Sequence, residues 1–192
     1  MSRDSRAATR GPRSGGIEPP LAARGPLRGR GAAHGRWEGV ANMSFFRAFD
    51  WPPVWLAGFV LLALLTSMPV AGGALGLVLV GLGGAAVAVG LGLMGLAVRE
   101  MTRARTTVIP GRDPSALVTR GVFRFSRNPI YLGDLLLLAG ISLVWQSWVG
   151  LALVPVLGWV LTRRFIRHEE ARLRAAFGAE AEAWMARVRR WL

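Results

Sequence analysis

The 192-residue sequence predicts an all-α integral membrane protein of about four transmembrane helices, both termini cytoplasmic, the last two spans forming a short hairpin. Three observations carry that prediction. The chain is 52% hydrophobic with a mean hydropathy of +0.37, high for a soluble domain of this length. From Trp51 to Val98 no residue is charged, which is room for two helices of about 20 residues each. The charge is also blocked rather than spread: all 24 basic residues are arginine, and they give a net charge of +13 against 11 acids. No cysteine is present, which excludes a disulfide scaffold, a thiolate metal site, a cysteine nucleophile and cysteine lipidation. Two histidines, His34 and His168, leave no basis for a metal cluster.

Residues 1–42 are rich in Arg, Gly and Pro and have almost nothing apolar to bury. They read as a disordered extension, and Met43, which opens "MSFFRAFDWPPVWLAGFV", reads as an alternative start. A secretory signal does not fit, because the apolar stretch begins too late. Aromatics are not interleaved with the basic residues, Trp37 apart, so no nucleic-acid partner is expected.

Residues 43–98 read as two transmembrane helices, at about 53–69 and 74–97, divided at Met68-Pro69 and Gly72-Gly73. The second carries Gly76, Gly81, Gly83, Gly84, Gly90, Gly92 and Gly95. Small residues let helices approach closely in lipid, and plain packing is the first reading of them. The block 130–162 holds one charge, Asp134, and is broken by Gln146-Ser147 between Trp145 and Trp148. It reads as a helical hairpin with its turn at an aromatic-anchored interface. The Arg-rich blocks 99–127 and 163–192 flank that hairpin, lie on one side and by the positive-inside rule face the cytoplasm. An amphipathic helix follows over 163–192, completing a core of residues 99–192.

Chemistry concentrates in two stretches. In "TRGVFRFSRNPIYLGD", residues 119–134, Asn128 before Pro129 is a helix start: Asn accepts from an orphan amide and Pro is preset for the first turn. The amides there, the helix dipole and Arg127 form a site for a carboxylate or phosphate, and Gly133 permits close approach of a ligand. The plainer reading is that Asn-Pro caps the span while Arg124 and Arg127 hold lipid headgroups. In "RHEEARLRAAFG", residues 167–178, Phe165, Ile166, Leu173, Ala176 and Phe177 share one face at 100° per residue. Glu169 falls within that face, and Glu170 sits at its edge with Arg174 and Arg167 as helical neighbours. A carboxylate on a buried face is unfavourable without a partner, so Glu169 is the more informative acid. Asp134, one turn into the third span, is either functional or sheltered by the interface and the helix end.

These two motifs, "SRNPIYLGDLLLLAG" and "RHEEARLRAAFGAEAEAW", bracketing a hairpin, resemble the C-terminal half of the isoprenylcysteine carboxyl methyltransferase family. They are more distantly similar to phosphatidylethanolamine N-methyltransferases. The resemblance covers roughly residues 107–190. It implies a membrane methyltransferase that binds S-adenosylmethionine in a cytosol-facing pocket and admits a lipophilic substrate from the bilayer. Arg127, Asn128, Pro129, Tyr131 and Gly133 stand at the family's Arg-His/Asn-Pro-x-Tyr-x-Gly signature, and Glu169 and Glu170 at its paired glutamates. The resemblance thus implies Arg127, Tyr131 and Glu169 as catalytic and all seven as cofactor-binding. Asn128 replaces the His of the eukaryotic enzymes. Ala181 and Trp184 stand where the family has two Tyr, and the chain closes on Trp191-Leu192 without the usual terminal Pro.

Methyl transfer from a sulfonium is an in-line displacement governed by positioning and water exclusion. A carboxylate acceptor needs no strong base; for an amine or hydroxyl, Tyr131, Glu169 or His168 are the candidates to assist. The expected partners are membrane lipids and a lipophilic acceptor, a lipid or an isoprenoid-like molecule. The all-arginine usage points to a bacterial inner membrane. Two rivals accompany this reading: an NADPH-dependent membrane reductase of the same superfold, and a non-enzymatic membrane scaffold in which Glu169 pairs with an arginine. Polar groups gathered at the interface rather than at midplane favour an enzyme over a transporter.

Overall fold

The structure is a computed structural model and describes residues 51–67, 73–107, 109 and 114–192. The expected extension over 1–42, the start at Met43 and the Met68–Gly72 break lie outside the described residues. Those described are helical, with no strand among them.

Helix α1, Pro52–Leu65, begins where Pro52 and Pro53 can occupy the first turn without losing a needed N–H, after extended Trp51. It ends at Leu65, four residues short of the expected boundary, and is capped by Thr66, whose Oγ1 donates to the Leu62 carbonyl at 2.8 Å. Helix α2, Gly73–Arg103, is 31 residues long and runs six residues past the expected end at 97. Charge does not stop a helix once it has left the apolar layer; Glu100 and Arg103, one turn apart, pair at 3.6 Å, and Arg103 suits the negative end of the dipole. A 3₁₀ turn, Gly121–Arg124, leads to helix α3, Pro129–Val144. The turn at 145–147 is tight: Gln146 takes a φ of +49°, and Ser147 accepts from the Gly150 amide at 3.0 Å as the cap of α4, Trp148–Leu161. Trp145 and Trp148 flank it, exposed, as the sequence predicts.

The second arm of the hairpin does not end at 162. A π turn, Thr162–Ile166, joins α4 directly to α5, Arg167–Arg187, so that one 40-residue helix runs from Trp148 to Arg187. Pro155 is accommodated within its apolar part, and Gly178, at φ +50°, kinks its charged part. The helix expected to reach 192 stops at Arg187, and Val188 turns extended. α2 and this long helix are long and apolar enough to cross a membrane; α1 and α3 are apolar but shorter.

A seam of small residues organises the packing. Gly76, Gly83, Gly90 and Ala97 recur every seven residues on α2, and all four are buried. Gly83 faces Gly140 of α3 and Gly90 faces Gly133. A Cβ at Gly83 would lie 2.5 Å from the Gly140 carbonyl oxygen, and one at Gly140 would lie 2.6 Å from that of Gly83. Only glycine lets the backbones meet so closely. Gly81, Gly84, Gly92 and Gly95 have nothing within 4 Å; spacing alone did not separate the two sets. Gly133 serves helix packing, under Met94 and against the Gly90 carbonyl.

Two apolar clusters flank the seam. One joins α1, α3 and α4 through Ala63, Leu138, Leu157 and Leu161 and reaches Tyr131 and Phe165. The other joins Ala97, Phe123, Ala181, Trp184, Met185 and Val188 at the charged end. Guanidinium–indole contacts, Arg163 over Trp159 at 5.8 Å and Arg164 over Trp55 at 5.3 Å, mark where the long helix leaves its apolar part.

Candidate functional site

A cavity of about 410 Å³ opens where α2, α3 and the charged α5 meet, within the usual range for a small-molecule site. Met94, Val98 and Met101 of α2 form one apolar wall, and Phe123, Leu173 and Trp184 another. Arg127, Asn128, Tyr131, Asp134, Glu169 and Glu170 also line it. The structure thus gathers onto one surface six polar residues that the sequence divides between two stretches some 35 positions apart.

Tyr131, the chain's sole tyrosine, sits in the first turn of α3. Its ring stacks on Phe165 at 6.4 Å between centroids, and its hydroxyl donates to Glu169 Oε1 at 2.7 Å. Glu169 is half-buried. Burial pushes its carboxyl above the ordinary range, opposed by the Tyr131 hydrogen bond and by Arg172.

Glu170 lives in the opposite electrostatic setting. It is 4% exposed, more buried than Glu169, and carries two arginines. Arg190 donates to it in bidentate fashion, Nε to Oε1 at 2.8 Å and Nη2 to Oε2 at 2.7 Å. Arg127 Nη1 approaches Oε1 at 3.2 Å. Burial alone would raise its pKa, but the Arg190 hydrogen bond and the Arg127 charge outweigh burial and hold it below the usual carboxylate range. Planar two-point Arg–carboxylate pairing is the strong form of such contacts.

This revises the helical reading of α5. Arg174, expected beside Glu170, pairs instead with Glu182 at 2.8 Å across the Gly178 kink, and Arg167 and Ala176 are exposed. The buried stripe is Ile166, Glu170, Leu173, Phe177, Ala181, Trp184 and Val188, with Leu173 and Phe177 half-covered. A π turn takes up more residues per turn than an α-helix, so Phe165 within it does not fix the phase of the helix beyond. His168 is exposed and lies away from the cavity lining, which removes it as an assisting base.

Asn128 is buried but does not cap α3. Its side chain makes no capping bond; Nδ2 donates to the Arg190 carbonyl at 2.9 Å, and the Asn128 amide donates to Ser126 Oγ at 3.1 Å. The Arg127 amide donates to the Arg189 carbonyl at 3.0 Å. The last five residues therefore form an extended strap over the α3 entry, with Val188 buried and Trp191 against the first cluster. The Nδ2 bond to the Arg190 carbonyl orients the Asn128 side chain toward the strap and not as a cap on α3. Pro129 keeps its expected place at the first helical position and is buried.

Arg127 turns inward and not toward lipid headgroups, its side chain 14% exposed, while Arg124 stays on the surface. Arg127 Nε is buried and, among the described residues, has no hydrogen-bond partner. Burial lowers the Arg127 pKa, an effect that Glu170 opposes and Arg190 reinforces; a guanidinium nevertheless stays charged. An orphaned donor on a charged side chain is uncommon in a folded protein and singles out this position.

Sequence reasoning missed Arg190, Ser126, Phe123 and Trp184. Nothing local separates Arg190 from Arg187 or Arg189; the return of the strap selects it. Trp184, at a position where the resembling family has Tyr, closes the cavity wall and donates to the Phe123 carbonyl at 3.4 Å.

Residues 75–180, more than half of the chain, match the phospholipid methyltransferase family. No curated protein and no solved structure matches the chain. The matched span contains the glycine seam, the α3 entry and both glutamates, and stops short of the strap. It corresponds to the second of the two groups that the motifs resemble, and on its extent the chain belongs to the phospholipid methyltransferases, a family of membrane methyltransferases.

Proposed function

We propose that the protein is an S-adenosylmethionine-dependent methyltransferase that modifies a lipophilic acceptor, a carboxylate, amine or hydroxyl of a lipid or isoprenoid-like molecule, at the cytoplasmic face of the membrane. The observation that carries this reading is the buried, unpartnered Arg127 Nε beside the Tyr131–Glu169 pair in one cavity. The cofactor's chemistry fits that donor set: a carboxylate for Arg127, an ammonium or ribose hydroxyls for Glu169, and an aromatic base for the wall of Phe123 and Trp184. The cofactor supplies an electrophilic methyl group.

The protein's own residues bind and orient. Glu170, held between Arg127 and Arg190, keeps the Arg127 guanidinium in place. Tyr131 fixes the Glu169 carboxylate, and the Met94–Met101 wall excludes water and accepts an apolar chain. A four-span arrangement with both termini cytoplasmic accompanies the proposal, supported by the charge-free α1 and α4, the short α3 and the Arg-rich blocks on either side of the hairpin. A bacterial inner membrane suits the all-arginine usage.

Calorimetric titration of the detergent-purified protein with S-adenosylhomocysteine tests the reading, with NADPH as the control ligand. Wild type should bind at micromolar concentration, and Arg127→Ala and Glu169→Gln should each lose ten-fold or more. A folded wild type that ignores S-adenosylhomocysteine, or that binds NADPH instead, would overturn it.

A further inference from the structure

Asp134 takes no part in the hydrogen bonds and ion pairs described so far. It lies three residues beyond Tyr131, on the same side of α3, and both line the cavity. It is 4% exposed. Among the described residues none donates a hydrogen bond to it and no arginine pairs with it. Its neighbours on that helix face are Ile130, Tyr131, Leu137 and Leu138, of which Tyr131 alone is polar. A carboxylate buried without a partner is strongly unfavourable, and in a membrane-embedded helix it marks function.

Its place within the cavity assigns it a side. The groups that suit the cofactor, Arg127, Tyr131 and Glu169, stand at the charged end, where α3 begins. Asp134 sits three residues past Tyr131, about 4.5 Å further along the helix axis, toward the glycine seam and Met94. The apolar wall there suits a hydrocarbon chain, and Asp134 is the polar feature that α3 presents to it.

We infer that Asp134 is the acceptor-recognition residue, selecting a lipophilic molecule whose polar head donates a hydrogen bond, an amine or a hydroxyl, and rejecting a carboxylate. The inference rests on the methyltransferase reading only for the word acceptor. A carboxylate head brought to this end would face Asp134, while the arginines of the cavity stand at the other end, Arg127 against Glu170 and Arg172 beside Glu169. A donor head satisfies Asp134 directly. This narrows the three acceptor chemistries open from the sequence to two.

The test uses the full chain in phosphatidylcholine nanodiscs, with dodecylamine, dodecanol and dodecanoate as probes. Binding is read from intrinsic tryptophan fluorescence, since Trp184 lines the cavity, and from thermal shift. Wild type should bind the amine at least ten-fold more tightly than the carboxylate, with the alcohol between them. Asp134→Asn should erase that ranking while leaving S-adenosylhomocysteine binding within two-fold; partitioning into the disc is common to both proteins and cancels. Equal binding of amine and carboxylate by wild type, or an unchanged ranking in Asp134→Asn, overturns the inference. If Asp134→Asn does not fold, the wild-type ranking and its protection by Asp134→Glu decide instead. Loss of S-adenosylhomocysteine binding by wild type with the ranking intact would sink the cofactor assignment and leave the recognition role standing.

Discussion

The glycine seam between α2 and α3 and the arginine clamp around Glu170 lie within a few turns of each other and are held by opposite means. In the seam, bare backbones meet: Gly83 against Gly140 and Gly90 against Gly133. In the clamp, three charged side chains from distant positions meet: Arg127, Glu170 and Arg190. Lipid offers no hydrophobic drive between helices, so close shape carries the first. At the aqueous edge a carboxylate can be removed from water only with compensating donors, so charge carries the second. The site forms at their junction because α3 takes part in both, its entry in the clamp and its middle in the seam.

The clamp should break first. Glu170→Gln leaves Arg127 and Arg190 facing each other without a counter-charge. Losing one member of a buried pair costs about 3 kcal/mol here, at the low end for such pairs because Arg190 is a third exposed. Unfolding titrated with a denaturing detergent should show that loss, together with weakened S-adenosylhomocysteine binding. The same residue makes the clamp acid-sensitive. The folded pKa of Glu170 lies below its ordinary 4.5. Its stabilisation should therefore be complete above that value and disappear as pH falls through the lower folded pKa. The stability gap between wild type and Glu170→Gln should close in that window; a constant gap down to pH 3 would contradict the assignment.

The seam should respond to size and not to pH. Gly140→Ala forces a Cβ against the Gly83 backbone and should destabilise by about 2 kcal/mol. Gly84→Ala and Gly92→Ala, with open space before them, should be neutral or slightly favourable. Equal effects at Gly140 and Gly92 would mean that the seam does not govern packing.

Tyr131→Phe sharpens the comparison at the junction. It removes one hydrogen bond, to Glu169, and keeps the ring on Phe165. Stability should fall by about 1 kcal/mol, whereas S-adenosylhomocysteine affinity should fall about ten-fold if Glu169 contacts the ligand. Glu182→Ala marks the lower limit. Its pair with Arg174 is largely exposed, and its loss should shift stability by no more than about 0.5 kcal/mol.

Much of this was legible along the chain. Asn128-Pro129 and Trp145–Trp148 each announced a boundary that the structure keeps, because proline geometry and interfacial aromatics act locally. Arg127, Asn128, Pro129 and Tyr131 of the first motif and the paired glutamates of the second line one cavity. The relative importance of the two glutamates was not legible. Glu170 was expected beside Arg167 and Arg174; Arg174 adds its charge, but the π turn and the returning strap bring Arg127 and Arg190 into direct contact.

Residue order by itself determined which segments are apolar enough to be helices, where they turn, and which two motifs hold the polar groups that line the cavity. Those properties follow from hydropathy, proline and spacing within about twenty residues. Tertiary structure alone decided which glycines touch, which arginine among several reaches Glu170, that Asn128 binds the strap and not its own helix, and that Asp134 faces the cavity without a partner. Each of these depends on groups brought together from distant parts of the chain, where the choice among chemically equal candidates is made by packing.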